Sequence, residues 1–293
     1  MNNDILSIIL SLLDIQDITK CSLIDRRFNK VANSEQLYYA LCNRDYTEHY
    51  ETLKQNTFHE TYKLCFSLSK LHSKLKISNN ICELYHLNKL NLNRKKITES
   101  PKEIGQLINL RQLCLINNQI TEIPKEIYQL INLRLLNLSH NRITEIPKEI
   151  CQLIKLHLLL LYRNRIAEIP PEIYQLVNLK LLFLNDNQII KIPKEICQLV
   201  NLRKLDLSEN QINEIPLEIG RLVNLQRLEL SNNQITKIPK EICQLINLEA
   251  LLLYSNQIAE IPQEIYQLVN LKWLSLDNNK ITKIPNVLKY MPI

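Results

Sequence analysis

The stretch LRQLCLINNQITEIPKEIYQLIN, residues 110–132, is followed at once by a near copy of itself, LRLLNLSHNRITEIPKEICQLIK, residues 133–155. The proline marks the period, because Pro101, Pro124, Pro147, Pro170, Pro193, Pro216, Pro239, Pro262 and Pro285 stand 23 residues apart. A fixed period of this size signals stacked supersecondary units, none of which buries its apolar side alone. The chain from about residue 87 to 293 therefore reads as a solenoid that presents a surface rather than a pocket.

Within one unit, Leu113 and Leu115 alternate with residues 112, 114 and 116, the pattern of a short strand with one face buried. The column Asn118, Asn141, Asn164, Asn187, Asn210, Asn233, Asn256 and Asn279 closes the strand, and Lys95 takes this slot in the first unit. An amide there donates to and accepts from the turning backbone, and an unmet buried group would cost about 1–3 kcal/mol. Ile120 and Ile123 return to the core, Pro124 fixes φ, and Glu126 to Leu130 suit one outer helical turn. Copies stacked this way pair as parallel strands.

The pattern LxxLxLxxNxIxxIPxEIxxLxN resembles the 23-residue intracellular leucine-rich repeat, with eight near copies and one degraded copy over two thirds of the chain. The resemblance implies an α/β solenoid, curved, with the parallel sheet on its concave face.

The N-terminal segment has another rhythm. Ile5, Leu6, Ile9, Leu10 and Leu13 fall on one helical face, Asp17 is placed to cap a second helix, and Ile18, Cys21 and Leu23 follow. About forty residues bury too little apolar surface for comfortable independence. Asp4-Ile5-Leu6, Ile9-Leu10-Ser11, Leu13-Asp14, Asp17-Ile18, Ser22-Leu23-Ile24, Arg26-Arg27-Phe28 and Leu37-Tyr38 fall in register with an F-box, which they resemble without gaps. Phe28 and Tyr38 stand where that family usually has tryptophan, and Met1-Asn2 replaces its opening Leu-Pro. The resemblance implies a small all-α domain, 1–45, that docks a Skp-type adaptor and its cullin through Ile5, Leu6, Ile9, Leu10, Leu13 and Leu23. Residues 46–86 carry apolar positions such as Tyr62, Leu64, Leu68, Leu71 and Leu75 at helical intervals without proline or glycine, so a helical connector and cap for the solenoid is expected.

Composition narrows the chemistry. With 45% hydrophobic and 23% charged residues in 293, the chain is a folded protein. Gly105 and Gly220 are its two glycines, which excludes the Gly-rich loops that cradle phosphates. The net charge of +6 is spread among alternating Lys and Glu, so no nucleic-acid stripe is expected. Eight cysteines without a CxxC pair fit reduced thiols in a cytoplasmic, or also nuclear, compartment. Met1 to Asp4 lacks a basic n-region, and Ile5 to Leu13 is too short to cross a bilayer, so neither secretion nor a membrane role is expected. Six scattered histidines give no metal spacing; only His140 and His157, at consecutive strand ends, are placed to approach each other, and such a pair on a solvent face is more often incidental than catalytic. No cofactor, metal or catalytic residue is expected.

Selectivity must lie in the strand positions that do not repeat. Leu135; Leu158, Leu160 and Tyr162; and Leu181 and Phe183 place apolar side chains in three consecutive units. Lys204, Asp206, Arg227 and Glu229 then turn the face charged, and Leu252, Tyr254 and Trp273 restore apolarity. These residues form the expected substrate face, since Tyr and Trp dominate interface energetics. The preceding column, Arg111, Arg134, His157, Lys180, Arg203 and Lys272, is a partly basic edge interrupted by Gln226 and Glu249.

Together the two resemblances imply a non-enzymatic substrate receptor of a cullin-RING ubiquitin ligase, its concave face holding an unknown protein. An adaptor-independent signalling scaffold and a decoy of the host ligase stay open on the sequence, whereas a ligase with its own cysteine would need a catalytic domain beyond the repeats. The richness in Ile, Asn and Lys resembles proteins of large DNA viruses and AT-rich protists, which would place the protein in host cytoplasm if viral.

Overall fold

A computed structural model describes residues 10–14, 16–18, 26–76, 80–283 and 285. The chain forms two compact units, Met1–Leu87 and Asn88–Ile293.

The first unit is helical. Its described helices are α1 (Arg26–Ala32), α2 (Glu35–Tyr46), α3 (Phe58–Leu75) and α4 (Ile81–Tyr85). Each of the last three begins on a residue whose side chain satisfies an orphan N–H: Ser34 accepts from Leu37 N, Thr57 from Glu60 N and Asn80 from Glu83 N. Lys76, in the left-handed conformation, ends α3 with its N–H on the His72 carbonyl. Helix α2 lies on α3 through aromatic contacts, Tyr38 stacking on His59 at 4.1 Å between centroids and Tyr46 meeting Tyr62 edge-on at 5.5 Å. Residues on both sides of the 45/46 division drawn from the sequence share this core, in which Leu37, Leu41, Leu68, Leu71 and Leu84 are fully buried.

The second unit is the solenoid. Nine three-residue strands form one sheet in chain order: β1 Lys89–Asn91, β2 Gln112–Cys114, β3 Leu135–Asn137, β4 Leu158–Leu160, β5 Leu181–Phe183, β6 Lys204–Asp206, β7 Arg227–Glu229, β8 Ala250–Leu252 and β9 Trp273–Ser275. All neighbours are parallel and pair at a 23-residue offset, for example Leu136 with Leu159 and Leu159 with Leu182. Among the described residues the outer turn is a single 3-10 helix, such as Lys125–Gln129 and Lys194–Gln198, entered directly from the period-marking proline. A helical turn is wider than the strand spacing of about 4.8 Å, so stacking bends the array toward its sheet, which takes the concave side.

The asparagine column does what its chemistry requires. Asn141 Nδ2 donates to the carbonyls of Leu115 at 3.0 Å and Leu138 at 2.8 Å, while its Oδ1 accepts from Ile120 N at 3.1 Å. In the first unit, where Lys95 replaces the asparagine, Asn118 Oδ1 accepts from both Lys95 N and Ile97 N, each at 3.0 Å. A second ladder, built on the asparagine that closes the repeat motif, runs along the outside: Nδ2 of Asn178, Asn201, Asn224 and Asn247 each donates to the carbonyl 24 residues earlier at 2.8 Å. Lys155 breaks that column and turns its Nζ to Asn132 Oδ1 at 2.7 Å.

The residue before each turn asparagine is left-handed in every internal unit, including His140, Arg163, Asp186 and Glu209 at φ between 54° and 56°. Its N–H reaches the next unit, as in His140 N to Tyr162 O at 2.9 Å. The corner thus continues the ladder beyond the strand, and non-glycine residues adopt a sparsely populated conformation to do so.

Candidate functional site

Strand alternation and register bring the variable residues into rows across the sheet. Leu135, Leu158 and Leu181 are partners in adjacent strands, and Asn137, Leu160 and Phe183 form the row beside them. All five apolar members are half-buried, as is Tyr162. Tyr162 meets the His140 ring edge-on at 5.3 Å. The apolar residues of three repeats therefore form one continuous patch.

The charged repeats adjoin this patch and are largely satisfied among themselves. Glu229 Oε1 accepts from Lys204 Nζ and from Arg227 Nε, both at 2.6 Å. Burial would raise the Glu229 carboxyl, but these two hydrogen bonds outweigh it and hold the group below its ordinary range. Lys204 Nζ also stands 4.7 Å from the centroid of the Phe183 ring, joining the charged strip to the apolar patch. Asp206 is buried, its Oδ1 accepting from Ser208 Oγ at 2.6 Å and Ser208 N at 3.2 Å. Burial pushes its carboxyl above the ordinary range against those hydrogen bonds, and Glu229 adds to the rise. Arg227, expected on the substrate face, makes an ion pair inside its own repeat.

At the far end Leu252 is half-buried, Tyr254 is 39% exposed and Trp273 is 58% exposed. Tyr254 Oη accepts from Asn232 Nδ2 at 2.8 Å, so its ring is fixed while its face stays open. Ala250 lies between Arg227 and Trp273 in the same row and is buried, so the charged residues of β6 and β7 lie between the first apolar contact and the second.

Of the expected adaptor contacts, Ile5, Leu6, Ile9 and Leu23 lie outside the described residues. Leu10 is fully buried in its own unit, a core position rather than a surface one, and Leu13 is half-buried. Leu12, which periodicity did not single out, is 76% exposed. This corner is tied down by Arg44, whose guanidinium donates to the carbonyls of Ser11 and Leu13 and pairs with Asp45, which in turn accepts from Tyr62 Oη at 2.8 Å.

Other chemistry is sparse. His140 follows β3 and His157 precedes β4, so the two lie at opposite ends of the parallel strands and do not form a pair. The seven described cysteines are free, and burial pushes the thiols of Cys151 and Cys243 up to about 11. Among the described residues no cluster of His, Cys, Asp and Glu suits a metal ion, and no helix is long and apolar enough to cross a membrane.

The repeat geometry defines a leucine-rich-repeat solenoid, and comparison agrees. The family described as "Leucine rich repeat" matches residues 85–143 and 154–212, and "Leucine-rich repeat region" matches 192–275 and 217–292. "F-box-like" matches residues 3–44. The chain belongs to the leucine-rich-repeat proteins and carries an F-box-like domain ahead of its repeats. Among solved structures it is similar to a leucine-rich-repeat protein of Leptospira interrogans, with 45% identity over 71% of this chain and 59% of that one and a TM-score of 0.59. An internalin of Listeria monocytogenes has 26% identity over 72% and 60% of the two chains, with a TM-score of 0.66. The ectodomain of the Arabidopsis receptor kinase HAESA, solved with a peptide hormone, has 29% identity over 65% and 34%, with a TM-score of 0.60. The chain thus spans 59% and 60% of the length of the first two. No curated protein matches it.

Proposed function

We propose that the protein is a non-catalytic substrate-recognition subunit of a cullin-RING ubiquitin ligase, with the F-box-like segment docking a Skp-type adaptor and the concave sheet holding the protein to be modified. The observation that carries this reading is the order of parts: an F-box-like match at 3–44, then repeats with an open apolar face. Leu135, Leu158, Leu160, Tyr162, Leu181 and Phe183 supply one contact, and Leu252, Tyr254 and Trp273 a second, with Arg227 in the strip between them. Such a subunit accelerates transfer by proximity and orientation, while the chemistry belongs to its partners. The peptide held by the HAESA ectodomain supports a polypeptide as the ligand of these repeats. Free cysteines support a reducing, cytoplasmic setting.

Copurification tests the docking half. The intact chain is expected to recover adaptor and cullin, and Leu12→Asp with Leu13→Asp to lose both while keeping its circular dichroism. Deleting residues 1–45 is a poorer control, because it strips α2 from α3. Failure of the intact chain to recover an adaptor would leave the adaptor-independent scaffold. Crosslinking with substrate tests the other half: Tyr162→Ala with Phe183→Ala is expected to keep the fold and abolish capture.

A further inference from the structure

Immediately ahead of the strands, one position of five successive repeats holds Arg111, Arg134, His157, Lys180 and Arg203. The four Arg and Lys side chains are exposed, and none makes an ion pair or side-chain hydrogen bond among the described residues. The same column ends differently: Gln226 and Glu249 follow, and Lys272 Nζ is neutralised by Glu249 Oε2 at 2.8 Å. His157 feels its place in the row, since burial and then Lys180 and Arg134 hold it below its ordinary range. Beside the unneutralised part of this column, one residue further along each strand, stand Leu135, Leu158 and Leu181. The free cations and the aliphatic row share the same half of the solenoid: the row ends at Leu181 in β5 and the cations one strand later at Arg203, beside Lys204, which takes the leucine position and bonds to Glu229.

The geometry points to an acidic polypeptide segment with aliphatic side chains, lying across β2 to β6, as the ligand of this half of the sheet. Its carboxylates meet the basic column and its apolar side chains meet the leucine row. This assignment rests on the concave sheet being the capture face. Four strand steps of about 4.8 Å make the basic column about 19 Å long, the span of about six extended residues. Oppositely charged rows steer encounter and fix register, and the leucines supply burial. A single-stranded nucleic acid fits less well, because the row beside the cations is aliphatic and offers no stacking platform.

The test is fluorescence anisotropy of the full chain with three labelled probes: an alternating Glu/Leu peptide of about twelve residues, its Lys/Leu counterpart, and oligothymidylate. The Glu/Leu peptide is expected to bind, more weakly as ionic strength rises. Arg134→Glu with Lys180→Glu should weaken it about tenfold or more, whereas Lys272→Glu should not. Circular dichroism confirms that each variant folds. Unchanged affinity in the double charge reversal overturns the proposal. Equal binding of the two peptides, both lost in Leu158→Asp, overturns the acidic class and leaves the sheet as the capture face. Binding by neither peptide, or tighter binding of oligothymidylate, overturns both.

Discussion

The Lys204 ammonium lies 4.7 Å from the centroid of the Phe183 ring, one strand away. This contact, with the 2.6 Å bond from the same ammonium to Glu229, makes β5, β6 and β7 a single electrostatic unit. A half-buried cation over a ring is worth about 0.5–1 kcal/mol. A double-mutant cycle with Lys204→Met and Phe183→Leu is therefore expected to give a coupling of about that size by urea unfolding. Additive effects would show that the ring and the ammonium do not interact.

Asp206 and Glu229 are neighbours with opposite shifts, and their pH effects should oppose each other. A carboxyl raised in the folded state contributes stability that is present below its ordinary value and lost as pH rises through the raised one. Asp206→Asn should then raise the thermal midpoint at neutral pH, with the difference closing as pH falls through the carboxylate range. Glu229, held low, contributes stability above its ordinary value that is lost as pH falls through the lowered one. Glu229→Gln should lower the midpoint at neutral pH, and that difference too should close in acid. Thermal unfolding across the acid range checks both signs.

Asn187 donates to the carbonyls of Leu161 and Leu184 at 3.0 Å and accepts from Ile166 N at 3.0 Å. Asn187→Ala leaves three backbone groups without this partner and should cost about 1–3 kcal/mol per group left buried and unmet. Leu182→Ala, at a fully buried position of the same repeat, should cost about 2–5 kcal/mol through the cavity it opens. Denaturant midpoints measure both, and neither variant should change ligand preference beyond its loss of folded protein.

Glu209 has φ of 54°, a region that a β-branched side chain tolerates poorly. Glu209→Val should destabilise by about 1–3 kcal/mol, whereas Glu209→Asn should be neutral or slightly stabilising. Asn already occupies the equivalent place at Asn117, Asn232 and Asn278 with φ of 56°, 54° and 55°. A valine variant as stable as the parent would show that the corner relaxes.

Much of this molecule is legible in its sequence for a simple reason. Leu113, Leu136, Leu159 and Leu182 recur at one spacing, and since each repeat meets only copies of itself, period, strand, register and the Asn118-to-Asn279 ladder follow from local pattern. The outer ladder from Asn178 to Asn247 and the left-handed corner were as periodic, but their roles depend on backbone paths that composition does not show. The amphipathic spacing of Leu10 and Leu13 marked a helical face without distinguishing a core side chain from a docking one, and packing placed Leu10 inside. In the same way, the letters at 204, 227 and 229 announced a charged strip. Only the tertiary structure turned Lys204 and Arg227 onto one carboxylate and left Arg111, Arg134, Lys180 and Arg203 without one among the described residues, because ion pairing is set by distances between side chains in the folded chain.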